Sequence, residues 1–415
     1  MRLAFLSNKD PSIPEIDSDG GAVTVRHYAI ELAKIGYDID VFTPKLALEN
    51  TRNDYEENKA RAQSDNIVTL ESKINVFRLP IRQVNRGIFK KEEIKDLPGI
   101  LESFLFADSF ERERLKHYDL INLFHPLTGF GVLGREMIDL DRTILFPMLL
   151  SEYYLKYQFV SGIYCDLENS LLSQVGHISS PSQDEVKTLI KKGISRKKIN
   201  IVHRGINRDI FTHKIREESI PYGTVKIVCT NAIRPQKGQH QLVYTARLLK
   251  DRGLNPEILF VGENKRFYKP EHEEYYLNLL RLAENLEVKS NVKFLGAAEP
   301  QKIAEILKSS HLAVFPSETE SFGKAPLEAI ATGTPTILGD DVPAYREFAR
   351  NGINAIFVKR TPEAFADTIR FLMTDKDKYL KLNRSSVGLN IQFSWEKVTS
   401  DLDLFYTKIL SKRRK

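Results

Sequence analysis

The sequence predicts an α/β protein built from two doubly wound parallel sheets. Short runs rich in Val, Ile and Leu alternate with amphipathic helical segments along most of the chain, a pattern typical of parallel sheets covered by helices on both faces. The pattern starts again after residue 212, and 415 residues exceed what one hydrophobic core usually organises. We therefore expect two Rossmann-like domains that face each other across a cleft.

Apolar runs bounded by turn-forming residues predict the individual strands. Strands of the first domain are expected at 3–7, 39–42, 74–79, 120–125, 143–146, 177–181 and 199–202. Strands of the second domain are expected at 225–230, 257–261, 292–295, 312–316, 336–338 and 355–358. Periodic helical segments lie between them, for example at 22–34, 182–192, 239–249 and 273–284.

A polar stretch containing Pro and Gly, 212–223, suits a linker between the two domains. It sets the expected domains at 1–211 and 212–394. Two charged, weakly periodic stretches of the first domain, 46–73 and 80–100, are typical of insertion loops or exposed helices.

Composition excludes several classes of protein. Hydrophobic residues make up 42% and charged residues 28% of the chain, as in ordinary globular proteins. The two cysteines, Cys165 and Cys229, provide neither a disulfide framework nor a metal cluster. No apolar run approaches the roughly 18 residues of a membrane span. The net charge of +6 is compatible with anionic substrates, but no basic stripe interleaved with aromatics predicts nucleic-acid binding.

The segment from Pro316 to Pro335, PSETESFGKAPLEAIATGTP, combines a strand end, a glycine and a predicted helix start. Ser321 can cap the predicted helix, and Pro326 is tolerated in a first helical turn. Amides at such a helix start favour an anion such as a diphosphate. Glu320 and Glu328 can accept hydrogen bonds from hydroxyl groups on either side of that anion. The segment therefore predicts a site for a nucleotide sugar.

This segment resembles the Glu-x7-Glu signature of the family-4 retaining glycosyltransferases, which have the GT-B fold of two Rossmann-like domains. The resemblance includes the Pro-Ser before the first glutamate and the Ala-x-x-x-Gly-Thr-Pro after it. It implies that Glu328 holds the ribose hydroxyls of the donor and Glu320 the transferred sugar, which makes Glu320 a catalytic candidate. It also implies that residues 395–415 form a helix that returns to the first domain; a terminal helix on the second domain is the alternative.

The resemblance further implies that backbone groups near the helix start meet the sugar hydroxyls or the phosphates. The donor-binding candidates in this segment, besides Glu328, are Phe322, Gly323, Lys324 and Leu327.

Two places in the first domain are also candidates. Gly20 and Gly21 open a predicted helix, and glycines at a strand-to-helix turn let a ligand approach the backbone. They resemble the glycine-rich first loop of the family, although a tight turn alone would explain them. His125 ends a predicted strand, where it can donate to a sugar hydroxyl or stabilise developing charge. We take His125 as the second catalytic candidate; a structural histidine is the alternative.

Cations that follow the first strand of the second domain are expected to bind the donor diphosphate. The family places an Arg five residues before a Lys; Lys237 is present here, but Ala232 occupies the arginine position. Arg234, three residues before Lys237, is the candidate replacement. Arg204, where the family commonly has Asn, is a second possible contributor. The cations and the helix dipole should stabilise the leaving diphosphate, so we expect neither a metal nor another cofactor.

The sequence thus predicts a retaining, metal-independent hexosyltransferase that uses a UDP- or GDP-linked sugar in the biosynthesis of bacterial-type glycans, glycolipids or glycosylated metabolites. The acceptor is open: a soluble sugar, an aminocyclitol, a lipid-linked glycan or a lipid. The expected location is the cytoplasm, with peripheral contact at the inner membrane face left open. The alternatives are a sugar-nucleotide epimerase of similar fold and a catalytically weak scaffold subunit of a glycosylation complex.

Overall fold

A computed structural model describes residues 1–8, 10–12, 20–45, 67–81, 96–109, 114–148, 150–153, 160–218, 224–263 and 270–413. The chain divides into two compact units. Unit 1 consists of Met1–Arg204 together with Trp395–Lys415, and unit 2 is Gly205–Ser394. The boundary between the two units therefore falls after Arg204, whereas the sequence predicts it after residue 211.

Unit 1 contains an eight-stranded sheet with the order β3-β4-β2-β1-β5-β6-β7-β8. Every neighbouring pair is parallel except β3 with β4. The central strands are apolar and fully buried, as expected when helices cover both faces. The strands are β1 (Arg2–Ser7), β2 (Asp38–Lys45), β3 (Ile67–Glu71), β4 (Ile74–Pro80), β5 (Leu120–Phe124), β6 (Thr143–Phe146), β7 (His177–Ser180) and β8 (Ile199–Ile201).

The helices of unit 1 pack against this sheet and against each other. They are α1 (Gly20–Lys34), α2 (Leu97–Asp108), α3 (Pro126–Gly134), α4 (Gly162–Gln174), α5 (Gln183–Lys191) and, from the end of the chain, α13 (Trp395–Arg413). The last of these completes a core of unit 1, because Trp395, Leu402 and Tyr406 are buried among residues of β1 and α1. The Tyr406 hydroxyl donates to the Asn122 side chain at 2.8 Å.

Unit 2 contains a six-stranded sheet with the order β11-β10-β9-β12-β13-β14, and all its pairs are parallel. From β9 the chain adds β10 and β11 on one side. It then returns to add β12, β13 and β14 on the other side of β9. This reversal between β9 and β12 is the point where open α/β sheets bind ligands. The strands are β9 (Thr224–Cys229), β10 (Asn255–Val261), β11 (Val292–Gly296), β12 (Leu312–Phe315), β13 (Thr336–Gly339) and β14 (Ile356–Val358).

The helices of unit 2 connect these strands and bury their apolar sides in one continuous core. They are α6 (Gln239–Asp251), α7 (Pro270–Asn285), α8 (Pro300–Ser309), α9 (Lys324–Ala331), α10 (Pro362–Thr374), α11 (Lys376–Arg384) and α12 (Leu389–Gln392).

The prediction of parallel α/β sheets is confirmed in both units, and each predicted strand is present within a few residues. One strand was not predicted. β3 lies inside the charged stretch assigned to loops or exposed helices, and it pairs antiparallel with β4 at the sheet edge. Residues 46–66 and 82–95 of the stretches assigned to insertions lie outside the described residues. None of the helices in the described part of the chain has the length and apolar character needed to cross a membrane.

Candidate active site

Two loops of unit 2 leave the same edge of the sheet, because β9 and β12 are adjacent and parallel. One begins after Cys229 and the other after Phe315. The Asn231 side-chain amide donates to the Ser317 hydroxyl at 3.1 Å, and both side chains are buried. The backbone N–H of Glu318 donates to the Gln236 carbonyl at 2.9 Å. These bonds fix the two loops to each other.

Gly238 allows this close contact. It has a left-handed backbone with φ of +67°, and a Cβ atom there would lie 2.2 Å from the Pro316 carbonyl oxygen. That separation is far shorter than atoms can tolerate, so the position accepts glycine alone without movement of a loop. The contact places the turn Pro235–Lys237 directly beside the loop that carries Glu320.

Lys237 and Glu320 form an ion pair between these two loops. The Lys237 Nζ atom lies 2.7 Å from Glu320 Oε1, and the side chains are 19% and 12% exposed. The structure thus brings together a predicted phosphate ligand and a predicted sugar ligand, which are far apart in the sequence. Both charged groups retain access to solvent, so a ligand can reach them.

Helix α9 begins beside this ion pair. Its N-cap residue is Gly323, with φ of +97°, and no side chain caps the helix. The prediction that Ser321 caps the helix is therefore wrong; the backbone at Gly323 turns into the helix instead. A Cβ atom at Gly323 would lie 2.7 Å from a ring carbon of Tyr345, so the turn also requires glycine. An uncapped start leaves amide groups and the positive end of the helix dipole for an anion.

Glu328 lies on α9, one turn inside the helix. Its carboxylate is 3.4 Å from the Lys324 Nζ atom, and the residue is 6% exposed. At about 1.5 Å of rise per residue, Gly323 and Glu328 are separated by roughly 7–8 Å along the axis. Groups at that spacing can contact different parts of one elongated ligand.

Phe322 and Leu327 are buried rather than exposed to a ligand. Phe322 packs against Phe348 and Phe393, with ring centroids 5.4 Å and 6.0 Å apart. Leu327 is completely buried, and its N–H donates to the Gly323 carbonyl at 3.2 Å. Their side chains hold the loop and the helix in place. Their assignment as donor ligands stays a prediction, and for Phe322 it would require the backbone.

Arg234 is half-buried at the start of the turn that carries Lys237. Its carbonyl accepts the Lys237 N–H at 2.9 Å, and its guanidinium forms no ion pair with any described carboxylate. Ala232, at the position of the expected arginine, accepts a bond from the Gln239 side chain at 2.9 Å through its carbonyl. The structure therefore leaves Arg234 as a cation that is available for a phosphate.

Gly20, Gly21 and His125 belong to unit 1. The two glycines open α1, and residues 13–19 before them lie outside the described residues. His125 follows β5 and caps α3: its Nδ1 atom accepts the Leu127 N–H at 3.2 Å. Its φ of +86° is a strained conformation for a residue with a side chain, of a kind found mostly at functional sites. The catalytic role of His125 stays a prediction.

Tyr345 is a site residue that sequence reasoning missed. It is completely buried in a turn, Pro343–Glu347, against the cap glycine of α9. Burial, together with the nearby charge of Glu320, raises the pKa of its phenol well above the ordinary value.

Replacing Gly238 with alanine is expected to lower both stability and donor affinity, because the new Cβ atom forces the two loops apart. Gly253 provides a matched control: it is also left-handed, with φ of +78°, but nothing lies within 4 Å of its Cβ position. Both variants should lose about 1 kcal/mol from the left-handed backbone. Only Gly238→Ala should lose more and bind UDP more weakly in calorimetry. Equal effects in the two variants would contradict the close-contact role.

Two α/β units, each built on a mainly parallel sheet, form the architecture of the GT-B fold. Sucrose-phosphate synthase from Thermosynechococcus elongatus superimposes with a TM-score of 0.79 at 18% identity, covering 99% of both chains. Alr3699/HepE of Anabaena, in complex with UDP and glucose, superimposes with a TM-score of 0.67 at 13% identity, covering 98% of this chain and 100% of that one. The predicted fold is confirmed.

The family comparison is more specific. Residues 211–386 match the family model described as glycosyl transferases group 1. The D-inositol 3-phosphate glycosyltransferase of Corynebacterium glutamicum (strain R) is 22% identical over 438 residues, covering 99% of this chain and 97% of the relative. This match covers most of unit 2, and the predicted resemblance to family-4 glycosyltransferases of the GT-B fold is confirmed.

Proposed function

We propose that this enzyme transfers a hexose from a UDP- or GDP-linked donor to an acceptor hydroxyl, with retention of the anomeric configuration and without a metal. The observation that carries the proposal is the cluster of Lys237, Glu320 and Glu328 around the start of α9. A cation and free amides suit a diphosphate, while carboxylates suit the hydroxyl groups on both sides of it.

Each residue has a part in the proposed reaction. Lys237, with Arg234, binds the diphosphate and stabilises the charge that develops as it leaves. Glu328 accepts hydrogen bonds from the ribose, and Glu320 from the sugar. The acceptor hydroxyl attacks from the face that the diphosphate leaves, and a phosphate oxygen takes its proton, so that the configuration is retained.

The choice of substrates rests on similar proteins. The Anabaena structure contains UDP and glucose, which favours UDP-glucose as the first donor to test. The Corynebacterium relative is named for D-inositol 3-phosphate, which favours a soluble, phosphorylated polyol as the first acceptor. The proposed class of substrate is therefore a nucleoside diphosphate hexose with a small polyol acceptor.

The first experiment is a panel of UDP-, GDP- and ADP-glucose scored by thermal shift. We expect the wild type to be stabilised by one of them and Glu328→Ala to lose that shift. Glu284→Ala is the control, because this exposed glutamate forms an ion pair with Lys289 on the surface. Equal shifts in the wild type and Glu328→Ala would contradict the assigned donor site.

Product analysis then separates the alternatives. Incubation with the stabilising donor and inositol phosphate, with EDTA present, should give a glycoside whose anomeric configuration NMR shows to be retained. A changed nucleotide sugar formed without acceptor would indicate the epimerase. Absence of any product until a partner chain is added would indicate the scaffold subunit, an alternative that the alanine at position 232 keeps open.

A further inference from the structure

Arg204, the last residue of the first segment of unit 1, is a buried cation that forms no ion pair with any carboxylate in the described part of the chain. The residue is 7% exposed. Among the described residues, its guanidinium contacts the Met148 Sδ atom, which lies 3.4 Å from Nη2, and the Tyr28 hydroxyl. A thioether is a weak acceptor, whereas a guanidinium is a multiple donor. Burial of an unpaired charge costs several kcal/mol, so such an arrangement needs an explanation.

The charge of Arg204 acts on the carboxyl group of Glu185, but the two side chains form no ion pair. Glu185 is completely buried on α5, and neither of its carboxylate oxygens has a hydrogen-bond partner in the described structure. Burial raises the pKa of Glu185 to about 8, and the charge of Arg204 is the largest influence in the opposite direction. No described carboxylate forms an ion pair with Arg204.

The third neighbour is the phenol of Tyr28. The Tyr28 hydroxyl donates to the His203 carbonyl at 2.9 Å. Burial raises the pKa of Tyr28, again against the charge of Arg204. A thioether and a phenol are thus the described hydrogen-bond partners of the guanidinium, and neither is a carboxylate. A planar guanidinium in such surroundings matches a phosphate oxyanion with two parallel hydrogen bonds.

The position of Arg204 suits a ligand. Arg204 follows β8, and its contact Met148 follows β6, so both leave the carboxyl edge of the parallel sheet of unit 1. Ligands of open α/β sheets bind at this edge. His125, after β5, lies at the same edge.

We propose that Arg204 binds a phosphate group of a substrate. The proposal rests on the proposed transfer reaction, which offers this chemistry from two sources: the diphosphate of the donor, or a phosphate on the acceptor. In either case Arg204 contributes specificity for an anionic substrate.

The test compares Arg204→Met, which removes the charge, with Arg204→Lys, which keeps the charge but not the planar fork. Arg135→Met is the control, because Arg135 pairs with Asp108 on the exposed surface of the same unit. Calorimetry measures the affinity for UDP, and then the affinity for inorganic phosphate with UDP at saturation. One of these affinities should fall about 10-fold to 100-fold in Arg204→Met, and less in Arg204→Lys.

The probe that loses affinity identifies the source: UDP indicates the donor, and phosphate indicates the acceptor. Affinities that are equal in the wild type and Arg204→Met, or undetectable in both, overturn the proposal. Arg204→Met should also keep or raise the unfolding temperature, since an unpaired buried charge is lost; if it fails to fold, the same comparison is made with Arg204→Lys. The Glu328→Ala result is independent of Arg204, so failure here leaves the proposed transfer reaction standing.

Discussion

Glu320→Gln is expected to lower turnover about 100-fold or more, a magnitude typical for removal of a charged group that assists the reacting centre. The glutamine has the same size and can still accept a bond from Lys237, but it carries no negative charge. Because the ion pair is partly exposed, at 19% and 12%, its loss should affect thermal unfolding much less than turnover. Initial rates with saturating donor and a melting curve measure the two effects.

Glu305→Gln is the control for this variant. Glu305 forms an exposed ion pair with Lys302 at 3.0 Å on α8, so its replacement removes the same charge outside the candidate site. A collapse of thermal stability in Glu320→Gln, with normal specific activity of the protein that remains folded, would show that Glu320 is structural.

Lys237→Ala is expected to weaken UDP binding roughly 10-fold to 100-fold, because a charge-assisted hydrogen bond to phosphate contributes about 1.5–3 kcal/mol. The variant also releases Glu320 from its ion pair and adds repulsion between that carboxylate and the diphosphate. Calorimetric titration with UDP measures the effect. Lys302→Ala removes a lysine from an exposed ion pair outside the candidate site and should bind UDP like the wild type. An unchanged affinity in Lys237→Ala would remove Lys237 from the proposed donor site.

The main architecture was predictable because a strand that is buried on both faces appears in the sequence as a continuous apolar run. β12 is apolar at every position and fully buried, so its four residues read as a strand without further information. β3 is not buried in this way. It is an edge strand whose residues alternate between exposed and partly exposed, so no continuous apolar run distinguishes it from the charged stretch around it.

The site was predictable only in part, for a different reason. The residues of the Glu-x7-Glu segment are close in sequence, and their arrangement follows from one strand, one turn and one helix. Ser321 was assigned as the cap from side-chain preference, whereas the observed cap at Gly323 depends on a backbone angle that the packing of Tyr345 fixes. The buried state of Arg204 arises from contacts between distant segments, and no local pattern encodes it.

Unit 1 is made from two pieces of chain that enclose all of unit 2 between them. During synthesis on the ribosome, unit 2 therefore has its complete sequence before unit 1 does, although unit 1 starts first. The apolar surface that α13 covers stays exposed until Trp395, Leu402 and Tyr406 have left the ribosome. The core of unit 1 is thus incomplete for most of the translation of the chain. During that period the exposed apolar surface can bind chaperones or aggregate.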